Sequence, residues 1–415
     1  MKRIFALLMV VMLVLALNPV QAQENSLQVY ITGLPESGLE WFTNEAFPAF
    51  QEAYGSEVNL EIITGGWGDF DATVAGWITT GNGPDIIYLG SEYAATYGDL
   101  LKDISGFFTE EELAAFLPTA VETVTWDGSI RGLPLLMSPR PIFYRTDLFA
   151  EGSEIPLTFT DALAFVEANS IVEDNAMVQM GFMDIGAGLF DAQEFIGYIW
   201  SAGGELYNED GTSAFDSDVV AEVLQYMYDR RRIILPTENT AGLPPSEGYP
   251  ITSDRVVSGI FPMWNMPPTS DAAWDNIAIA PYPAGENGSP VVQVFIDWLS
   301  VPQYVSDDKL ELVTDFLKFI TSQENALALS SVVGYTPVRL DAWDSLRENP
   351  VWNTLLDLAV DYGRAFSDVR ASAELRPLIV EQVTLFLTDQ QSLEDTLQFL
   401  KEDYDAILED NGYLD

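Results

Sequence analysis

Cysteine and histidine are both absent from the 415 residues. Without cysteine there is no disulfide, no cysteine-ligated metal and no lipid-modified cysteine. Without histidine, Ser-His-Asp and Cys-His catalysis are closed, and so is histidine-ligated zinc. Any enzyme in this chain would have to work with carboxylates, Lys, Tyr or Ser. Basic residues are scarce: 18 Lys and Arg stand against 64 Asp and Glu, a formal net charge of −46. Such a field repels nucleic acid and anionic lipid, so no nucleic-acid partner is expected. The same charge also serves a solvated surface that aids solubility or suits a salty habitat. No cofactor signature is present. Neither G-x-G-x-x-G nor G-x-x-x-x-G-K-[ST] occurs at a strand end.

Long apolar runs are missing as well, except at the start. Lys2 and Arg3 precede the apolar run Ile4 to Leu17, which is followed by Val20-Gln21-Ala22. A basic start, a short apolar stretch and a small-residue site make residues 1–22 a secretory signal peptide, cut after Ala22. The run is short of the roughly 20 residues that span a bilayer. Its removal leaves 16 basic against 64 acidic residues, a net −48. The mature chain is expected to be soluble, exported and periplasmic or extracellular.

What is present is enough apolar material for real cores: 48% of the residues are hydrophobic. Leu27–Ile31 alternates as a strand and ends in Thr32-Gly33. Trp41–Tyr54 has helical spacing. Val58–Ile63 is a strand ending in Thr64-Gly65-Gly66-Trp67-Gly68-Asp69, and Phe70–Thr80 is a second helix. Ile86–Leu89 is a continuous apolar strand that stops at Gly90-Ser91-Glu92-Tyr93. Strand–helix–strand–helix–strand at this spacing predicts parallel strands with right-handed crossovers. Parallel strands are covered on both faces, which explains the unbroken apolar run. In such sheets ligands sit beyond the carboxyl ends of the strands.

Gly128–Phe149 carries three prolines and is read as an extended segment crossing between domains. A second α/β pattern follows it. Phe190–Ala202 is a helix ending at Gly203-Gly204, Ser258–Met263 is a strand ending in Trp264-Asn265, and Ile277–Tyr282 and Val291–Val301 are strands. Ser306–Ser330 is one amphipathic helix with Ser306 as its N-cap, ended at Gly334-Tyr335-Thr336-Pro337.

Five motifs in order resemble the extracytoplasmic solute-binding proteins of ABC importers, in the sugar-binding cluster typified by maltose-binding protein. They are Gly81-Asn82-Gly83-Pro84-Asp85; Gly128-Ser129-Ile130-Arg131-Gly132-Leu133-Pro134 with Tyr144-Arg145-Thr146-Asp147-Leu148-Phe149; Ala202–Tyr207 with Phe215-Asp216-Ser217; Ser258–Met263; and Leu310–Glu324 with Gly334–Pro337. Arg145 stands where that family usually has Asn, Pro262 where it has Ala, and Gln293–Ser300 lacks the usual paired glycines, with Asp297 and Trp298 in their place. The resemblance implies an α/β, two-lobe, periplasmic-binding-protein-like fold (type II). Each lobe is a mostly parallel sheet flanked by helices, with a cleft between them. It implies lobe 1 at 23–136 plus 277–327, lobe 2 at 141–274 plus 331–415, and hinge crossings near 137–141, 276–283 and 328–334. The partners implied are a carbohydrate and the membrane permease subunits of the importer, with the protein acting as a monomer.

A sugar presents hydroxyls around apolar C–H faces, so its site needs flat aromatic platforms with acceptors and donors held by rigid backbone. Carboxylates accept from hydroxyls and Arg donates a planar fork. The candidates are Trp67, Tyr93 and Trp41 as aromatics of the first lobe, and Glu92 at the end of its third strand. Ser138 and Arg140 lie on the crossing segment. Asp191, Gln193, Trp264 and Asn265 come from the second lobe, Tyr335 from the loop after the long helix, and Arg376 from the tail. Each competes with a plainer role in packing or as a solvated rim. Asp85 opens its strand, far from the ligand end, and Trp200 is read as core. No metal is expected; the loop Tyr207–Gly211 is acid-rich but lacks the spacing of a calcium loop. Alternatives left open are a polyamine, a peptide or a polyol phosphate as ligand, and a secreted glycosidase using a carboxylate pair.

Overall fold

The computed structural model describes residues 26–55, 58–174, 176–184, 190–234, 249–267 and 269–414. The expected signal peptide lies outside the described residues. Three strands open the chain: β1 (Ser26–Thr32), β2 (Asn59–Gly65) and β3 (Ile86–Gly90). A hairpin of β4 (Thr125–Trp126) and β5 (Ser129–Ile130) follows, then the extended pair β6 (Gly132–Arg140) and β7 (Ile142–Arg145). A second hairpin is β8 (Ile171–Glu173) with β9 (Ala176–Gln179). The remaining strands are β10 (Ser258–Ile260), β11 (Ile277–Ala280), β12 (Val292–Ser300), β13 (Thr336–Pro337) and β14 (Gly363–Ala365).

The first sheet has the order β13-β6-β12-β3-β1-β2, with β14 beside β12. β1 pairs in parallel with both β2 and β3. Every residue of β3 is buried, as its unbroken apolar run requires. β12 runs antiparallel to both β3 and β6. The second sheet has the order β10-β7-β11, with β7 antiparallel to both neighbours, and single parallel bridges join Met180 to Val256 and Met183 to Gly259. Both sheets are therefore mixed. In each, the reversed central strand is the one that brings the chain in from the other lobe, β12 in the first and β7 in the second. Such a strand enters at the end where the home strands finish, so it has to run against them.

Each sheet has its own core. Phe42, Phe50, Tyr88, Leu136, Ile296, Phe316 and Leu317 belong to the first, and Tyr144, Phe195, Tyr198, Phe215, Leu224 and Tyr404 to the second. Three segments sit differently from the sequence reading. Ile277–Ala280, assigned to the first lobe, pairs with β7 in the second sheet. The expected third crossing falls in the helix Gln323–Val333, whose Leu329 and Val333 pack in the first core. The chain meets the second sheet at Trp352 and Leu355, which cluster with Phe143 and Phe261, and enters the second core with Phe366, after β14. The single helix expected over 306–330 is two, Leu310–Ile320 and Gln323–Val333, because the Ser322 side chain caps a new start at Asn325 N–H. Ser306 precedes a short 3-10 turn, Asp307–Lys309, that leads into the first of them. β6 passes through Pro141 straight into β7. Asp85 is structural, as expected. It accepts from Lys309 Nζ at 2.6 Å and from Gln28 N–H at 2.9 Å.

A candidate ligand cleft between the sheets

The carboxyl ends of β1, β2 and β3 open onto a cavity of about 700 Å³, closed on its far side by residues of the second lobe. Trp67 stands on the turn after β2 and remains 40% exposed, high for an indole surrounded by aromatic rings. Its ring lies parallel to Tyr93, 7° apart with centroids at 6.2 Å, and Tyr93 leans on Phe70 at 4.5 Å. Gly33, at the tip of β1, makes this possible. It has φ +71°, and a Cβ there would stand 2.2 Å from Trp67 Nε1. Gly90 does the same for the carboxylate: a Cβ would stand 2.4 Å from Glu92 Oε2. Glu92 itself is buried.

The opposite wall begins at the helix Ala192–Ser201. Asp191 is its N-cap, accepting from Gln193 N–H at 2.8 Å. Arg140, at the end of β6, donates from Nη1 to Gln193 Oε1 at 2.6 Å and lies 3.9 Å above the Phe295 ring. Gln293, paired with Arg140 across β12, donates from Nε2 to the Gln193 carbonyl at 2.6 Å and accepts from the Tyr282 hydroxyl at 3.1 Å. A polar chain thus runs from the crossing strand into the second-lobe helix. Ser138, two residues before Arg140, is buried on the cavity wall, and its hydroxyl has no hydrogen-bond partner among the described residues. A buried hydroxyl left open to a cavity is placed for a ligand.

Four acids and two arginines face this space: Asp71, Glu92, Asp191 and Asp297 with Arg140 and Arg376. Burial raises the Glu92 carboxyl, opposed by its backbone N–H and by the charges of Arg376 and Arg140. Burial raises Asp297 to about 7, with the Glu92 charge adding to it, while the Tyr88 hydroxyl and Arg140 pull it back. Burial lowers Arg140, against the carboxylates Asp191 and Glu92. Tyr93 and Tyr335 are pushed up by burial and stay neutral donors. Among the described residues no group of three or more acids has the geometry to hold a metal. In the acidic loop at 207–211, Asp210 is occupied by the Thr212 N–H and hydroxyl at 3.0 and 2.6 Å.

Of the residues singled out from the sequence, Trp67, Glu92, Tyr93, Ser138, Arg140, Asp191, Gln193, Tyr335 and Arg376 line one cavity. Trp41 does not. It is buried against Phe42 in the first core, on the apolar face of its own helix. Asn265 lies on a half-buried 3-10 turn, Met263–Asn265, outside the lining, and the Trp264 side chain is outside what the structure describes. Asp71, Tyr88, Phe295 and Asp297 also line the cavity and went unselected. The departure from paired glycines at 297–298 was the available signal for Asp297. The alternation of β12 places Phe295 on the same face.

Two α/β lobes wound on separate sheets, with a cleft over the strand tips, define a two-lobed binding-protein fold. A model of the bacterial extracellular solute-binding proteins matches residues 45–355, and the chain belongs to that family. It is similar to the arabinooligosaccharide-binding protein of Halalkalibacterium halodurans, 26% identical over 270 residues, which is 62% of this chain and 58% of that protein. It is also similar to the Bacillus subtilis arabinooligosaccharide-binding protein, 24% identical over 243 residues, or 57% of this chain and 55% of that one. The matches thus span little more than half the length of these relatives. Among solved structures, maltose-bound MalE3 of T. maritima superposes with a TM-score of 0.72 at 20% identity, covering 92% of this chain and all of that one, a likeness of fold.

Proposed function

We propose that the protein is an exported carbohydrate-capture subunit. It closes its lobes around a sugar, an oligosaccharide by preference, and hands it to the permease of an ABC importer. The observation that carries this reading is the parallel Trp67–Tyr93 platform beside a floor of carboxylates and arginines in one cleft. Flat rings cover the C–H faces of a sugar while the carboxylates and Arg140 take its hydroxyls. Membership of the solute-binding family supports the delivery role, and the ligand named for the H. halodurans relative supports an oligosaccharide. The working form is a monomer without catalysis, released from its leader near Ala22. Closure is a hinge motion about the chain crossings.

A thermal-shift screen of the mature chain against neutral mono- and oligosaccharides tests this. A ligand at 100 times its Kd stabilises the native state by about 2.7 kcal/mol, so a true ligand raises Tm and an incidental one does not. A polyamine, peptide or polyol phosphate that raises Tm where no sugar does overturns the ligand class. Release of reducing sugar from a glycan overturns the non-enzymatic role.

A further inference from the structure

We infer that Asp297 is a ligand-binding residue of the cleft floor. Its strand β12, laid against β3, sets its carboxylate on the cavity wall it shares with Glu92, where both acids are ionised together only when ligand hydroxyls donate to them, so that capture releases a proton. The inference rests on the sugar reading of the cleft.

The geometry starts in the strand. β12 keeps regular register with β3 through Asp297 and Trp298, and the slip against β6 leaves Leu135 of β6 as the extra residue. Successive residues of a strand point to opposite faces. Here Trp298 is sealed in the core, donating to the Gly90 carbonyl at 3.2 Å, while Asp297 stays half-buried on the cavity wall. Asp297 is paired with Gly90, the residue that leaves room for Glu92, so one strand position holds both acids at the floor. The groups facing Asp297 come from every side: Tyr88 from β3, Glu92 from the turn after it, Arg140 from β6 and Tyr335 from the loop before β13. Tyr88 hydrogen-bonds to the Asp297 carboxylate. Glu92 also meets the charges of Arg376 from the tail helix and of Asp71 from the helix after β2. Arg140 is engaged with Gln193, and with Asp71 adding to the acids the two arginines offset the negative charges only in part. Like charges sharing a desolvated site hold one proton between them. A ligand hydroxyl donates to an ionised carboxylate and meets a competing donor in a protonated one. Binding therefore favours the ionised pair and expels the shared proton.

Isothermal titration calorimetry of the mature chain with arabinotriose and with maltotriose, each in two buffers of different ionisation enthalpy, tests the proposal. The expected result near neutral pH is release of a fraction of a proton, with affinity falling toward about tenfold per pH unit below pH 6. Asp297→Asn abolishes both effects, and Glu92→Gln moves the midpoint to lower pH. Sugar binding without proton release, proton uptake, or an Asp297→Asn variant with the wild-type pH slope overturns it. A ligand-free comparison guards against a sugar that does not bind. The Tm of Asp297→Asn relative to wild type rises between pH 5 and pH 8, and the rise shifts to lower pH in a Glu92→Gln background, if the pair exists; a constant gap, or one that Glu92→Gln leaves unchanged, overturns the pair. A rising gap with no sugar bound keeps the carboxylate pair and sinks the sugar reading instead.

Discussion

Arg230 in the second core and Arg140 at the cleft are each held over an aromatic ring. Arg230 lies over Phe182 at 4.4 Å and donates to the Tyr198 hydroxyl at 2.6 Å, to Glu194 at 3.0 Å and to Asp184. Arg140 lies over Phe295 and donates to a neutral amide, Gln193, while the carboxylates around it remain turned toward a cavity. The first arginine has its countercharges within hydrogen-bonding distance and holds helices together. The second is bordered by an open cavity, on which Asp297, Glu92 and the unpartnered Ser138 hydroxyl also lie. Burial of charge alone does not separate structure from function, and one oxygen of Glu194 in the closed site also lacks a partner among the described residues. What differs is that the polar groups at Arg140 share a space large enough for a ligand.

The sharpest way to break the comparison is to truncate both. Arg230→Ala leaves Glu194 fully buried without its cation, and chemical denaturation is expected to lose about 3–5 kcal/mol. Arg140→Ala takes a donor from the Gln193 amide and leaves carboxylates that face a cavity. Its loss is expected in sugar affinity, with stability nearly kept. Trp67→Ala comes next: calorimetry should read a loss of about 2 kcal/mol in binding, the scale of an aromatic anchor, with little change in Tm because the ring is partly exposed. Gly33→Ala strains a left-handed residue by about 1 kcal/mol and pushes the Trp67 indole aside, so tryptophan fluorescence and affinity should shift together. The pH response is smaller and has a definite sign. The Asp297 carboxyl sits above its ordinary value, so its protonated form favours the fold. Its penalty on ligand-free stability is absent below the ordinary carboxylate range, grows as pH rises, and is complete above about 7, as thermal melts can follow. The smallest effect belongs to Arg364→Ala. Its bridge to Glu205 is exposed, and urea unfolding should register less than about 1 kcal/mol.

The first three strands were legible because their patterns have one physical cause each: alternation for a half-covered strand, an unbroken run for a doubly covered one. The cleft was legible where glycine-rich strand ends carry a large side chain, as at Trp67 and Glu92, or where a polar residue sits among prolines, as at Ser138 and Arg140. Trp41 misled because helical spacing places an aromatic equally well in a core and at a rim. Asp297 was marked only by the missing glycines, because what brings it to the cavity is its pairing with Gly90 of β3, a contact more than 200 residues apart in the chain. The lobe limits shifted for a similar reason. Ile279 and Phe143 are partners only after the chain has crossed and come back.

One feature of the backbone sets how the halves can move. β6 and β7 are a single extended run interrupted only at Pro141, and each belongs to a different sheet. A ladder of paired residues from Gly132 to Arg140 stops the run from sliding, and proline fixes its own φ. In the proposed closure, what this crossing leaves free is a tilt at Pro141. Because Arg140 stands immediately before that proline and grips Gln193 beyond it, their 2.6 Å bond is the first length to alter when the angle does. The molecule carries its own protractor, and a vibrational or distance probe on that pair reads the opening directly.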